Sequence, residues 1–215
     1  MIYGPVKLNR FAATLVVAGL VAASAAAQEP TVKLPGHAGA AIGKPGAPIV
    51  LVEFTDIECP NCRDFHRVVY ERLKQEYIDT GKVLFVHRDL PLPNHPNAVV
   101  AAHGLRCAGD QALFWQLRHA LLLNEKLSPE LVELAARLVS VDLGEFRRCM
   151  RDGRHLAGIE KDIADARTVG GKNTPTLILG RMVPDGIEGV LIGGTATFEE
   201  LDSRIKAALA GAAKK

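Results

Sequence analysis

The chain has 215 residues, 48% of them hydrophobic and 23% charged, which supplies a sizeable core for one domain or for one domain carrying an insertion. Its formal net charge of +2 resides in Lys7 and Arg10, because the other basic side chains balance the 24 acidic ones. A near-neutral body argues against nucleic acid or an anionic membrane as the main partner.

In chain order, Lys7 and Arg10 precede the apolar run Phe11 to Ala23, and Ala25-Ala26-Ala27 follow before Gln28. A positive start, a short apolar middle and an Ala-x-Ala exit mark residues 1–27 as a secretory signal peptide. An uncleaved anchor is the alternative, although the run is short for a membrane span. The mature chain is expected to begin near Gln28 and to work outside the cytoplasm, where disulfides persist. Residues 28–46, rich in Gly, Pro and Ala, read as a lead-in.

Ile49-Val50-Leu51-Val52-Glu53-Phe54 reads as a buried strand. A helix is expected from Pro60 to about Thr80, with Cys62, Phe65, Val69, Leu73 and Tyr77 on one face and Gly81 as its C-cap. A second strand is expected over 82–88, followed by the Pro-rich break at 90–96. From Asn97 to about Gly170 the pattern is helical, with caps at Ser128-Pro129 and at Asp142. The stripe Leu156, Ile159, Ile163, Ala166 marks the last helix of that block. Strands over 176–179 and 189–193 flank the turn Pro184-Asp185-Gly186, and a capping box at Thr197 to Glu200 opens a final helix to about Ala210. The order β-α-β, helical block, β-β-α implies an α/β fold with a mixed sheet flanked by helices. The helical block would be an insertion.

The chemistry centres on Cys59-Pro60-Asn61-Cys62, where a strand delivers a Cys-x-x-Cys pair onto the first turn of a helix. Free N–H groups at a helix start favour a thiolate at Cys59, and Cys62 lies one turn on, within reach of a disulfide. That context is a specific redox signal. A zinc or copper site using Cys59, Cys62 and His66 is a competing reading, but no fourth ligand completes it. A purely structural crosslink is another, yet so short a loop restrains little of the unfolded chain. Thr174-Pro175, just before a strand, raises the question of a cis peptide, with a plain strand-entry proline as the alternative.

The run from Val52 to Cys62, the helical block, and Gly171-Lys172-Asn173-Thr174-Pro175-Thr176 together resemble the DsbA-like thiol:disulfide oxidoreductases of the thioredoxin superfamily, from about Gly46 to Leu209. The resemblance implies a thioredoxin fold in two parts, 47–96 and 153–212, interrupted by a helical insertion over 97–152. It implies Cys59 and Cys62 as catalytic residues, supported by Pro60, Asn61 and a cis-proline loop at Thr174 and Pro175 whose backbone pairs with an extended client segment. It also places an acid at Glu53, below the cysteines, for proton transfer; a strand-end Glu reaching solvent is the other reading. Glu58 departs from the aromatic residue often found there, and its charge is expected to raise the Cys59 pKa.

Cys107 and Cys149, 42 positions apart, are expected to pair in an oxidising compartment and tie the insertion together, with two free thiols as the alternative. His66 and the other histidines read as surface or core residues rather than ligands. The function expected is a periplasmic or otherwise extracytoplasmic oxidase of exported proteins. It would work as a monomer, with a membrane partner for recycling, and with no metal, cofactor or nucleic acid. Pro60-Asn61 lacks the ionisable His of strong oxidants, so its Cys59 thiolate is expected to be less stabilised than theirs. The alternatives are a disulfide isomerase or reductase, and a copper-binding thioredoxin-fold module.

Overall fold

The structure is a computed structural model that describes residues 1, 30–36, 39–194 and 196–212. The expected signal segment therefore lies, Met1 apart, outside the described residues. Among those described, no helix is long and apolar enough to cross a membrane.

Among the described residues, six strands form one mixed sheet in the order β1-β6-β5-β3-β4-β2. They are β1 (Thr31–Pro35), β2 (Ala40–Ile42), β3 (Ile49–Thr55), β4 (Val83–Asp89), β5 (Thr176–Val183) and β6 (Gly186–Ile192). β3 runs parallel to β4, and the other pairings are antiparallel. β3 is central and buried along its whole length. Such burial on both faces explains its apolar run, interrupted only by Glu53 and the terminal Thr55.

The stretch 28–46, read from sequence as a lead-in, supplies two edge strands instead. Thr31–Pro35 pairs with β6 and Ala40–Ile42 with β4. These segments have little periodicity of their own, and their backbone hydrogen bonds come from sheets built by residues far along the chain.

Helix α1 opens at Pro60–Asp64 and continues through Phe65–Tyr70, Glu71–Leu73 and Lys74–Ile78, of which the second and fourth segments are π-helical. The expected face of Cys62, Phe65, Val69, Leu73 and Tyr77 is buried. His66 and Tyr70, four and eight residues after Cys62, extend the same buried face. Gly81, at φ +73°, takes the left-handed conformation expected after a helix.

The block after β4 divides into α2 (Ala98–Gly109), α3 (Phe114–Leu122), α4 (Pro129–Leu138), α5 (Leu143–Asp152) and α6 (Leu156–Thr168), and the chain ends with α7 (Phe198–Ala212). The expected caps form: Ser128 Oγ accepts from Leu131 N at 3.2 Å, Asp142 Oδ1 from Glu145 N at 2.9 Å, and Thr197 Oγ1 from Glu200 N at 3.2 Å. Cys107 on α2 and Cys149 on α5 form a disulfide with Cα atoms 5.8 Å apart.

Three apolar cores follow. On one face of the sheet α1 and α7 pack Phe65, Leu73, Leu201 and Ile205 against Leu51, Phe85 and Leu177. On the other, Ala166 and Val169 meet Val50, Val52, Phe54 and Ile178. Neighbours on β3 thus alternate between faces, as a strand requires. The third core lies within α2 to α5, and it also takes in Ile57, Cys59 and Cys62 from the β3–α1 junction.

A buried ionic joint ties α6 and α2 to β4. Arg88 donates to Asp162 and Asp165 at 2.5 Å each, and Arg106 donates to Asp89 at 2.6 Å and Asp162 at 2.5 Å. Lys161 reaches Asp165 at 2.7 Å, so three cations face three carboxylates. Arg88 and Asp162 are almost wholly buried, which makes pairing obligatory rather than decorative.

Candidate active site

β3 ends at Thr55, and the chain turns sharply before α1. Asp56 holds that turn: its Oδ1 accepts from Glu58 N at 2.8 Å, while Oδ2 accepts from Leu92 N and bonds His95 Nδ1, both at 2.7 Å. One buried carboxylate thus joins the cysteine turn to the Pro-rich loop after β4. Sequence reasoning missed this role, although an acid two residues before a backbone donor is an Asx-turn pattern.

Cys59 is the N-cap of α1, with φ −69° and ψ 126°, and Pro60 occupies the first helical position. Cys59 is 5% exposed and Cys62 fully buried; both are free thiols. The Thr174–Pro175 peptide bond is cis, and the Cys59 thiol donates to Thr174 O at 3.4 Å. The loop before β5 therefore meets the cysteine turn directly, although the two are 115 residues apart in sequence.

The two sulfurs differ sharply. Cys59 is lowered from the ordinary 9.0 to about 5, chiefly by a hydrogen bond from the Cys62 thiol. The Thr174 side chain and the backbone N–H groups of Cys62 and Asn61 assist, while burial opposes them. Thr174 Oγ1 is buried and has no other hydrogen-bond partner. Cys62 is raised well above 9.0, first by burial, then by its bond to Cys59 and the charge of Glu53. Asp56 N lies 3.5 Å from Cys62 Sγ.

Cys59 is lowered rather than raised, and Glu58 is not among the causes of its shift. The Glu58 carboxylate accepts from Asn97, through N at 2.7 Å and Nδ2 at 3.0 Å. Glu53 resolves in favour of burial: it is 0% exposed. Its Oε2 accepts from Arg118 Nη2 at 2.5 Å, whereas Oε1 has no hydrogen-bond partner. Arg118 comes from α3 and is itself buried. Its Nε donates to His87 Nδ1 at 3.2 Å, and His87 Nε2 bonds Asp89 Oδ1 at 2.9 Å. Since an arginine only donates, His87 must keep its proton on Nε2, and Asp89 receives it. The inserted helix thus provides the counter-charge of the acid on β3.

His66 is buried but turns to His119 and Glu71. Among the described residues, the His, Cys, Asp and Glu groups close enough to share an ion include neither Cys59 nor Cys62.

Comparison with known proteins agrees with this geometry. A family model described as Thioredoxin matches residues 37–207. Over 170 residues the chain is 35% identical to the Na(+)/H(+) antiporter NhaA 1 of Salinispora arenicola, a match that covers 77% of this chain and 24% of that protein. The chain thus spans about a quarter of that antiporter's length. It is 29% identical to the probable disulfide bond formation protein D of Bacillus cereus, over 77% of this chain and 75% of the relative. The crystal structure of Wolbachia pipientis alpha-DsbA1 superposes with a TM-score of 0.72 at 26% identity, covering 80% of this chain and 91% of that one.

Proposed function

The chain belongs to the thioredoxin family, and from that membership we propose that it is a DsbA-like thiol:disulfide oxidoreductase, with Cys59 exchanging disulfides and Cys62 completing the exchange. The observation that carries this reading is the opposed pair of sulfurs, one lowered to about 5 at a helix start and the other held protonated by burial. The names of the Bacillus cereus and Wolbachia pipientis relatives point the same way.

In the oxidised enzyme a client thiolate attacks Cys59 Sγ. The Cys59–Cys62 bond breaks, its electron pair leaves on Cys62, and Cys62 takes a proton because its surroundings disfavour the thiolate. A second client thiolate then attacks the client sulfur of the mixed disulfide. That bond breaks, and the pair leaves on Cys59 as a thiolate. The client has lost two electrons and gained a disulfide, while the enzyme has become a dithiol.

A stabilised Cys59 thiolate is the better leaving group and favours the reduced enzyme, which supports donating disulfides over removing them. The cis-proline loop supports client binding, since it brings the Thr174 carbonyl against the sulfur where an extended segment would add as a strand. Exported proteins are the clients on this reading, a membrane protein reoxidises the dithiol, and the enzyme works as a monomer outside the cytoplasm. Trapping tests it: Cys62→Ala should accumulate mixed disulfides with exported proteins. No adducts, together with a wild type that fails to cycle in a glutathione buffer, would refute it.

A further inference from the structure

Away from the cysteines, α1 and α3 bring together three metal-ligating side chains. His66 Nε2 and His119 Nδ1 are 3.0 Å apart, and Glu71 Oε1 lies 3.7 Å from each. An ion bound tetrahedrally at about 2.0–2.2 Å holds its donors roughly 3.3–3.6 Å apart. The observed triangle brackets that spacing, so it is already the size of one face of such a shell.

The sequence alone would not put Glu71 beside His66. Residues five apart on an α-helix lie about 140° apart around the axis. The π segment Phe65–Tyr70, closed by i→i+5 bonds, winds more slowly and carries position 71 back over 66. Such bulges recur at functional sites. His66 is buried; His119 and Glu71 side chains are 52% and 42% exposed and open on a cavity of about 460 Å³. Lys74, which also lines it, is engaged by Asp79 at 2.8 Å.

We propose that His66, Glu71 and His119 bind a divalent transition-metal ion, Zn2+ by the chemistry of two imidazoles and a carboxylate, with water completing the shell from the cavity. The ion clips the sheet-packed helix α1 to the inserted helix α3. Arg118 is the group that opposes it, with Nη1 3.3 Å from His66 Nδ1. When the ion takes Nε2, the proton there moves to Nδ1. The Arg118 contact then opens, and Arg118 keeps its bonds to Glu53 and His87.

The test uses the full chain with Cys59→Ser and Cys62→Ser, so that no thiol competes for metal and the outcome is independent of the redox reading. Titration calorimetry with a zinc salt should give one ion per chain. His119→Ala and Glu71→Gln, both at exposed positions, should each weaken binding on the order of tenfold or more. Zinc should raise the thermal midpoint of the parent and leave that of His119→Ala unmoved, and Co2+ should give visible bands in the parent that the variant lacks. Equal zinc affinity in parent and His119→Ala, or no binding by the parent, overturns the proposal.

Discussion

The difference between the two thiols can be read as a stability that depends on pH. The reduced protein contains the Cys59 thiolate, whereas in the disulfide form that group does not titrate. Cys59 is lowered from 9.0 to about 5 on folding. A depressed acid stabilises the fold above its unfolded value and loses that contribution as pH falls through its folded value. The reduced form should therefore gain most at pH 9 and nothing below pH 5. At pH 7 the two values differ from ambient by two units each way, so at 1.36 kcal/mol per unit the thiolate contributes about 3 kcal/mol. Cys62, raised by burial, opposes this only above pH 9. The same energy makes the disulfide more oxidising, by roughly 60 mV for a two-electron couple. Denaturant unfolding of reduced and oxidised protein from pH 5 to 8, with ultraviolet titration of the thiolate, measures both quantities. A flat difference across that range, or an apparent Cys59 pKa at or above about 8, refutes the reasoning.

Three further outcomes follow from contacts already described. Replacing Cys107 and Cys149 with Ser should lower the unfolding free energy by up to about 4 kcal/mol while leaving the Cys59 titration in place; a loss under about 1 kcal/mol in chemical denaturation would contradict the loop-closure argument. Arg118→Met strands the Glu53 carboxylate in a buried site and should cost about 3–5 kcal/mol, with much of it recovered when Glu53→Gln is added. A double-mutant cycle showing simple additivity would dismiss that coupling. Asp56→Ala removes three hydrogen bonds to one carboxylate, on the order of 3 kcal/mol, and should slow mixed-disulfide formation by loosening the turn before Cys59. Unchanged kinetics in a stopped-flow peptide assay would count against the role given to Asp56.

The parts of this molecule that could be read from sequence are those written in neighbouring residues. Cys59 and Cys62 sit three positions apart, the strand before them is an apolar run broken only by Glu53 and Thr55, and the helix caps at Ser128, Asp142 and Thr197 are local patterns. Thr174-Pro175 stands out locally as a proline before a strand, but its place beside the cysteines comes from resemblance alone, because nothing local ties a proline to a cysteine 116 positions away. Arg118 cannot be found at all: it is the one arginine of the short helix Phe114–Leu122, and only the packed fold lays it against Glu53. The hydrogen bonds from Asn97 to the Glu58 carboxylate are equally hidden in the sequence, since the two residues are 39 positions apart. The edge strands at Thr31–Pro35 and Ala40–Ile42 exist because β6 and β4 offer them partners. The π turns of α1 escape for a similar reason: a 3.6-residue template places His66 on the buried face but leaves Glu71 well round the axis from it, whereas the two side chains meet.

The joint of Arg88, Arg106 and Lys161 with Asp89, Asp162 and Asp165 has a bearing on how this protein comes apart. Oily surfaces can separate by degrees, each step exposing a little more area. Here a half-opened seam would leave guanidinium and carboxylate groups stripped of water yet out of reach of one another. Intermediate openings are therefore unfavourable, and α6 should leave β4 in a single event, with added salt screening the half-exposed Lys161 but doing little to the wholly buried Arg88–Asp162 pair.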